Sequence, residues 1–543
     1  MVTAFAQRLA RILADRSDLL FGLPGGGPNL DLVGAATTAG MRFVLAHGET
    51  SAAIMASTYG LLTGGPTGVV VTRGPGAASL INGAAQATLD RYPLVVVTDT
   101  VAGVQSDRIS HQRIDQRAMF APVTVASMTA TEEADLDSVI DRAGQWPPGA
   151  VHLDVDPTAA SAIEPHYQPP APPSVAERID EAMDRLVDSQ RPLVLVGMEA
   201  AWMDHQARLV DDLPPIRGML EELGCPLLTT YQAIGLVPTE GPLNAGLFTN
   251  GALERPALDQ ADLIITVGLD TVEPIPAPWS GSAPVISISS TPAIDAYVPT
   301  EIELVGDVAT IGHQLISGAH HRQWAQRWPI DSATKLREEA RRRLRPPTTD
   351  PDSAPPPSSM GPVALVDALL ASIDPAAMTV TVDAGAHFLA VMPHWPVQEP
   401  FDLLISNGLA TMGFALPAAI GAALARPDRP VLALIGDGGL SMTMAELETI
   451  ARLELPVTVV VFNDSALSLI AIKQREDHGG PTAIRYRPID FATIAEASGL
   501  DGVVANTADE VMRLVQAGGQ TQRLIDARID PADYRHLIEI TRG

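Results

Sequence analysis

One stretch limits what this chain can fold into: VLALIGDGGLSMTMAELETIARLELPVTVVVFND, residues 431–464. VLALI (431–435) is a short apolar run ending at Gly436, the pattern of a strand buried on both faces. Met442, Met444, Leu447, Ile450, Ala451 and Leu453 then recur near helical spacing, with Glu446, Glu448 and Arg452 between them. Pro456 ends that helix, and VTVVVF (457–462) is a second, β-branched strand. Strand, helix and strand at this length make a right-handed crossover between parallel strands. Asp437 and Asp464 each follow the carboxyl end of a strand. They therefore share one sheet edge, where open α/β sheets bind ligands. Two carboxylates so placed repel each other unless a cation lies between them.

The rest of the chain extends this pattern. At 543 residues it is too long for one core. Two Pro-rich stretches, EPHYQPPAPPSV (164–175) and RPPTTDPDSAPPPSSM (345–360), read as surface linkers. They predict three domains: 1–165, 176–344 and 360–543. VVVT (69–72) and PLVVVT (93–98) are strand-like in the first, PLVLVG (192–197) and LIITVG (263–268) in the second, and TVTVD (379–383) in the third. The expected fold class is α/β, with each domain a mostly parallel sheet flanked by helices. The net charge of −28 argues against a nucleic-acid partner. No apolar run approaches ~20 residues, so no membrane partner is expected. The opening MVTAFAQRLARILADRSDLL reads as an amphipathic helix rather than a signal peptide, so a cytoplasmic protein is expected. The one cysteine, Cys225, excludes an internal disulfide and is assigned to packing.

A hard divalent cation would sit between Asp437 and Asp464, completed by a backbone carbonyl. Oxygen-only ligands suit magnesium or calcium and not zinc. Gly436, Gly438 and Gly439, just before a helix start, offer backbone N–H groups to a phosphate. Together they predict a metal-bridged diphosphate. The bland alternative is a strand-to-helix turn with Asp464 as a helix cap.

Gly436-Asp437-Gly438 followed by Asn463-Asp464 resembles the diphosphate motif of thiamine-diphosphate enzymes. FGLPGGGPNLDLV (21–33), HGETSAAIMAS (47–57), RGPGAASLINGAAQATLDRYPLVVVTDTV (73–101) and SNGLATMGFALPAAIGAALA (406–425) are similar, in order, to segments of the acetohydroxyacid-synthase, pyruvate-oxidase and benzoylformate-decarboxylase group. The resemblance covers nearly the whole chain. It implies thiamine diphosphate with Mg2+, the metal held by Asp437, Asp464 and the carbonyl of Ala466. Asp464 stands where the group usually has Asn.

The resemblance also implies roles for other residues. Gly436, Gly438 and Gly439 cradle the diphosphate, and His387 of DAGAH (383–387) contacts it. Glu49 activates the cofactor by hydrogen bonding its aminopyrimidine ring nitrogen. Gly25, Gly26 and Pro75 lie in matching cofactor-binding segments. Met412 is the apolar wedge that bends the cofactor, and the carbonyl of Ala410, where the group commonly has Gly, takes its amino group. Leu467, Leu469 and Ile470 pack over the pyrimidine or roof the substrate. Gln112 and His111 fall where the synthases have Phe-Gln near the thiazolium, with His111 in the Phe position. Arg73 and Arg108 are candidates for a substrate carboxylate. His47-Gly48-Glu49 replaces the synthases' Arg-His-Glu, so one side chain near the site is missing. In the group, one cofactor is held by two subunits, which implies a homodimer or homotetramer with active sites at the subunit interface.

The synthases also bind FAD through the middle domain. Their Gly-x-Arg-Phe reads VGLDTVEP (267–274) here, ISISSTP (286–292) carries serines where Asp is usual, and there is no GxGxxG. FAD is therefore expected to be absent. The leading expectation is a non-oxidative decarboxylase or carboligase acting on small 2-oxo acids, similar to acetolactate synthase. One alternative is a carbon–carbon lyase acting on hydroxyketones or 2-hydroxyacyl-CoA, although the middle domain has no Lys/Arg run for a CoA tail. Another is a catalytically weak regulatory paralogue, against which the intact Glu49, Asp437 and Asp464 speak. An NAD reading of GLPGGGP (22–28) fails on glycine spacing.

Overall fold

The computed structural model describes residues 3–26, 28–100, 111–156, 178–275, 277–292, 298–346, 360–477, 483–517 and 522–542. The Pro-rich stretches lie outside these residues except for 345, 346 and 360, and Arg108 lies outside them too. We therefore keep 1–165, 176–344 and 360–543 as proposed domain limits.

The strands described form three six-stranded sheets, each parallel throughout. The first holds β1 (Leu19–Leu23), β2 (Arg42–Leu45), β3 (Thr67–Val71), β4 (Leu94–Asp99), β5 (Ala126–Ala130) and β6 (Ala150–Val155), in the order β2-β1-β3-β4-β6-β5. The second holds β7 (Pro192–Val196), β8 (Leu227–Thr229), β9 (Asn244–Leu247), β10 (Leu263–Val267), β11 (Val285–Ser289) and β12 (Ile302–Val305), in the order β9-β8-β7-β10-β11-β12. The third holds β13 (Thr379–Val382), β14 (Leu403–Ile405), β15 (Val431–Gly436), β16 (Val457–Asn463), β17 (Asp501–Ala505) and β18 (Arg523–Arg528), in the order β14-β13-β15-β16-β18-β17. The first and third sheets thus share one strand order. The second has the doubly wound order typical of dinucleotide-binding folds. In each sheet one pair of neighbouring strands sends its connections in opposite directions: β1/β3, β7/β10 and β13/β15. Ligand crevices open at such switch points.

The helix Glu49–Thr63 packs against the helix Ala415–Ala425, joining the first sheet's layer to the third's in one continuous core. The contact is close because small residues line it: a Cβ on Gly421 would lie 2.5 Å from the Met55 carbonyl oxygen. Arg91 pairs with Asp270 at 2.8 Å and ties the first unit to the second. Cys225 is buried, and burial pushes its thiol up to about 12, so it packs and does not react. Among the described residues no helix is long and apolar enough to cross a membrane.

One expectation needs correction. The apolar run after the Gly-Asp-Gly turn is two helices, Asp437–Thr443 and Glu446–Arg452, not one. The break at Met444 and Ala445 resets the helical phase. Met444, which the single-helix pattern places on the face of Leu447 and Ile450, is 39% exposed, and Met442 is 63% exposed, whereas Glu446 is buried.

Candidate active site

The third sheet's switch point holds a cavity of about 240 Å3. Parallel pairing of Gly436 with Phe462 sets the ends of β15 and β16 level, which brings Asp437 beside Asn463 and Asp464. Gly436, Asp437, Gly438 and Gly439 form one wall. His387, Ala410 and Met412 form a second, and Asp464, Ala466, Leu467, Leu469 and Ile470 a third.

The helix Asp437–Thr443 begins on Asp437, so Gly438 and Gly439 lie in its first turn, where N–H groups have no backbone partner within the helix; that of Gly438 donates to Oδ1 of Asp437 at 2.7 Å. Gly439 leaves no room for a side chain, and at Gly438 the end of Leu467 would have to give way. A Cβ on Gly439 would lie 1.8 Å from Oδ2 of Asp383, and one on Gly438 would lie 2.8 Å from Leu467 Cδ2. Asp437 accepts the Ser465 N–H at 2.6 Å and the Tyr486 hydroxyl at 2.6 Å. Asp464 accepts the Ala466 N–H at 3.0 Å and the Ser468 hydroxyl at 2.5 Å. Burial raises both carboxyls. That of Asp464 rises to about 6, helped by the neighbouring Asp437 charge. Ser465 adopts a left-handed conformation (φ 56°), and an antiparallel bridge to Arg485 pins the backbone around Ala466. His387 is buried, stacked on Phe462 with ring centroids 5.2 Å apart, and held neutral by burial, which lowers it to about 4. Its Nε2 has no hydrogen-bond partner. Two adjacent acids, the first-turn Gly439 N–H and an imidazole nitrogen with no partner among the described residues fit a site for a hard cation and a diphosphate.

Two residues in this region were not singled out from sequence. Tyr486 reaches Asp437 across a bridge that no local pattern announces. Asp383, fully buried and pushed up to about 7 by burial, accepts the N–H of Gly413 at 3.0 Å and of Phe414 at 2.9 Å. It thereby fixes the turn that follows Met412 against the Gly439 turn. Ala410 has φ 55°, a conformation that favours glycine and accounts for the glycine common there in similar proteins. If Asp437 holds Mg2+, Tyr486→Phe is expected to weaken its binding by roughly 10–100-fold, because outer hydrogen-bond partners orient metal-binding carboxylates. Titration calorimetry with the cofactor present checks this.

The first sheet's switch point gathers a second group of residues. Glu49 is the first residue of the helix Glu49–Thr63 and is half-buried. Its Oε1 lies 3.5 Å from where a Cβ on Gly76 would be, beside Pro75 at the start of the helix Pro75–Leu89. Gly25 abuts Thr72 at the end of β3 so closely that a Cβ would lie 2.4 Å from the Thr72 hydroxyl, while Gly26 faces open space. Gln112 (φ 57°) backs onto Gly74 (φ 72°), and His111 is exposed. Gln116 holds this turn: its Oε1 accepts the Gly74 N–H at 2.8 Å, and its Nε2 donates to Asp154 at 2.8 Å. Arg73 is already paired with Asp99 at 3.2 Å. None of Gly25, Gly26, Glu49, Pro75, His111 and Gln112 lines the cavity on the third sheet. Within one chain the expected site residues therefore fall into two separate groups, each at its own sheet's switch point.

The comparisons with known proteins follow the same division. Residues 3–119 match the thiamine pyrophosphate enzyme N-terminal TPP binding domain, 179–315 the central domain, and 383–526 the C-terminal TPP binding domain. The chain belongs to the thiamine pyrophosphate enzymes. It is 29% identical to an acetolactate synthase of Bacillus subtilis (strain 168), over 95% of this chain and 91% of that one. It is 28% identical to the acetolactate synthase isozyme 1 large subunit of Escherichia coli (strain K12), over 94% and 91%. It is also 28% identical to a 2-hydroxyacyl-CoA lyase of Oryza sativa subsp. japonica, over 94% and 92%. Synthase and lyase are equally distant, so identity alone does not select a substrate within this thiamine pyrophosphate family.

Proposed function

We propose that the protein is a Mg2+- and thiamine-diphosphate-dependent, flavin-free carboligase or decarboxylase of small 2-oxo acids, similar to acetolactate synthase. The observation that carries this reading is the cavity that combines Asp437, Asp464, two first-turn glycines and the unpartnered His387 Nε2. Asp437, Asp464 and the Ala466 carbonyl would hold the cation. The Gly439 N–H and His387 would bind phosphate oxygens, and the Gly438 N–H, which donates to Asp437 Oδ1 at 2.7 Å, would hold that ligand in place. When bound, thiamine diphosphate supplies an electron sink for breaking and making bonds at a carbonyl carbon. Glu49 would hold a proton at the aminopyrimidine ring nitrogen, the contact that activates the group. Met412, fixed through Asp383, would press the group into its bent shape. Leu467, Leu469 and Ile470 would exclude water. The separation of the Glu49 group from the cavity supports a site completed by the Glu49 group of a second copy, in a homodimer or homotetramer. Product analysis tests the reading. Pyruvate with thiamine diphosphate and Mg2+ is expected to yield carbon dioxide and a 2-hydroxy-2-alkyl ligation product, and free aldehyde as sole product would select the decarboxylase.

The central sheet supports the flavin-free reading. Its β7/β10 switch point, where a dinucleotide would bind, is filled by the chain itself. A Cβ on Gly197 would lie 2.3 Å from Leu269 Cα and 2.7 Å from Glu273 Oε2. Glu273 accepts the Met198 N–H at 2.9 Å, in the first turn of the helix Met198–Leu209, and the Asp270 N–H at 2.8 Å. A buried carboxyl group thus takes the helix terminus that would otherwise face a phosphate. Burial pushes Glu273 up to about 8. Above its ordinary value near 4.5 the unfolded carboxyl ionises while the folded one keeps its proton, so its contribution to stability falls as pH rises from about 4.5 to about 8. Glu273→Gln, whose amide can accept both N–H groups and donate to Thr230, is expected to match the parent near pH 4.5. By pH 9 it should exceed the parent by a few kcal/mol, on the order expected for a shift of this size. Denaturant unfolding at the two pH values checks the difference.

A further inference from the structure

The helix that begins with Glu49 has no local cap. Its N-cap residue is the extended Gly48 (φ −138°, ψ 141°), and no side-chain cap hydrogen bond is made there. A helix start normally draws an acceptor from Ser, Thr, Asp or Asn at this position. Instead, the turn that precedes the helix is held by a residue from the third sheet's unit. Oε1 of Glu446 accepts the backbone N–H groups of His47 and Gly48, both at 3.0 Å, and Oε2 accepts the Thr449 hydroxyl at 2.8 Å. Glu446 is 1% exposed, and such buried, charge-assisted bonds are the strong ones. Its helix, Glu446–Arg452, directly follows the Gly-Asp-Gly helix Asp437–Thr443. Arg452 adds a second tie by donating to the Leu45 carbonyl at 2.7 Å. His47 and Glu448, 2.7 Å apart, form a third, exposed pair that contributes little.

We propose that Glu446 is a positioning residue for Glu49. It holds the His47–Gly48 turn that aims the Glu49 carboxylate, and it does so from the element next to the diphosphate turn. This rests on the reading of Glu49 as the activating acid. Glu49 is the first helical residue, so any movement of the preceding turn passes directly to its Cα. A displacement of about 1 Å at a reacting group can cost on the order of 100-fold.

The test is hydrogen–deuterium exchange at the thiazolium C2 of bound thiamine diphosphate, read by quenched-flow NMR, together with cofactor affinity and thermal stability. Glu446→Asp shortens the arm by one methylene and withdraws the acceptor from both N–H groups. It is expected to slow exchange by at least roughly 10-fold while cofactor affinity stays within about 3-fold. Glu446→Gln keeps an oxygen on both N–H groups and turns its amide N–H toward the Thr449 hydroxyl. It should exchange within about 3-fold of the parent. Thr449→Val, which frees the other carboxylate oxygen at nearly constant volume, should slow exchange in the same direction and serves if Glu446→Asp does not fold. Parent-like exchange in Glu446→Asp, or in Thr449→Val where the first variant does not fold, overturns the proposal even if thermal stability drops, because the tie is then only structural. Equal slowing in Glu446→Gln and Glu446→Asp also overturns it, because charge rather than reach would matter. Glu49→Gln is the control. Parent-like exchange there overturns the underlying reading of Glu49, and the proposal with it. Slow exchange in Glu49→Gln beside parent-like exchange in Glu446→Asp overturns the proposal alone.

Discussion

Glu49→Gln is expected to lower turnover by roughly 10²–10⁴-fold, the range that a positioned proton-transfer group supplies, with cofactor affinity little changed. The substitution keeps the volume and the start of the helix Glu49–Thr63. It removes the carboxylate's ability to take and return a proton at the aminopyrimidine ring. The diphosphate half of the proposed site lies on the third sheet, away from Glu49, so the groups that anchor the cofactor are untouched. Steady-state kinetics paired with cofactor titration separate the two effects. Unchanged turnover would remove Glu49 from the mechanism.

Asp437→Ala is expected to have the opposite profile, with loss of Mg2+-dependent cofactor binding as the primary defect. Asp437 accepts from Ser465 and Tyr486 and neighbours Asp464, so its carboxylate is central to the proposed cation site and to the loop beside it. Its removal should cost more than the roughly 10–100-fold that loss of an outer partner costs a metal site. Cofactor titration with and without Mg2+ reads this, and normal affinity in the variant would place the cation elsewhere. Turnover at saturating cofactor distinguishes the variants: partial recovery for Asp437→Ala, none for Glu49→Gln.

Much of this arrangement is legible in the sequence because its largest parts are set by short-range rules. Runs such as VLALI and VTVVVF have the β-branched, two-sided apolar character of parallel strands, and the Pro456 break limits the crossover between them. Parallel crossovers have one hand, so the shared edge of Asp437 and Asp464 follows without coordinates. What stays hidden depends on contacts between segments distant in the chain. Tyr486 reaches Asp437 only because residues 483–487 return as a bridge to Ala466. Glu446 reads as a polar residue between apolar helical positions, yet it is buried because its partners are N–H groups some 400 residues earlier. Met444 reads as core because periodicity assumes an unbroken helix, and the two-residue break turns it outward. Glu273 lies in VGLDTVEP, where the expected arginine is missing, but its bond to the Met198 N–H needs the fold to bring the two together.

The most direct test of the central claim is carbon dioxide release from a panel of 2-oxo acids that begins with pyruvate, with thiamine diphosphate and Mg2+ supplied and then each withheld. The account predicts release from at least one member that requires both additions and no flavin. No release from any member, with the cofactor demonstrably bound, would contradict it and leave carbon–carbon cleavage of a preformed hydroxyketone or 2-hydroxyacyl thioester as the reaction to examine.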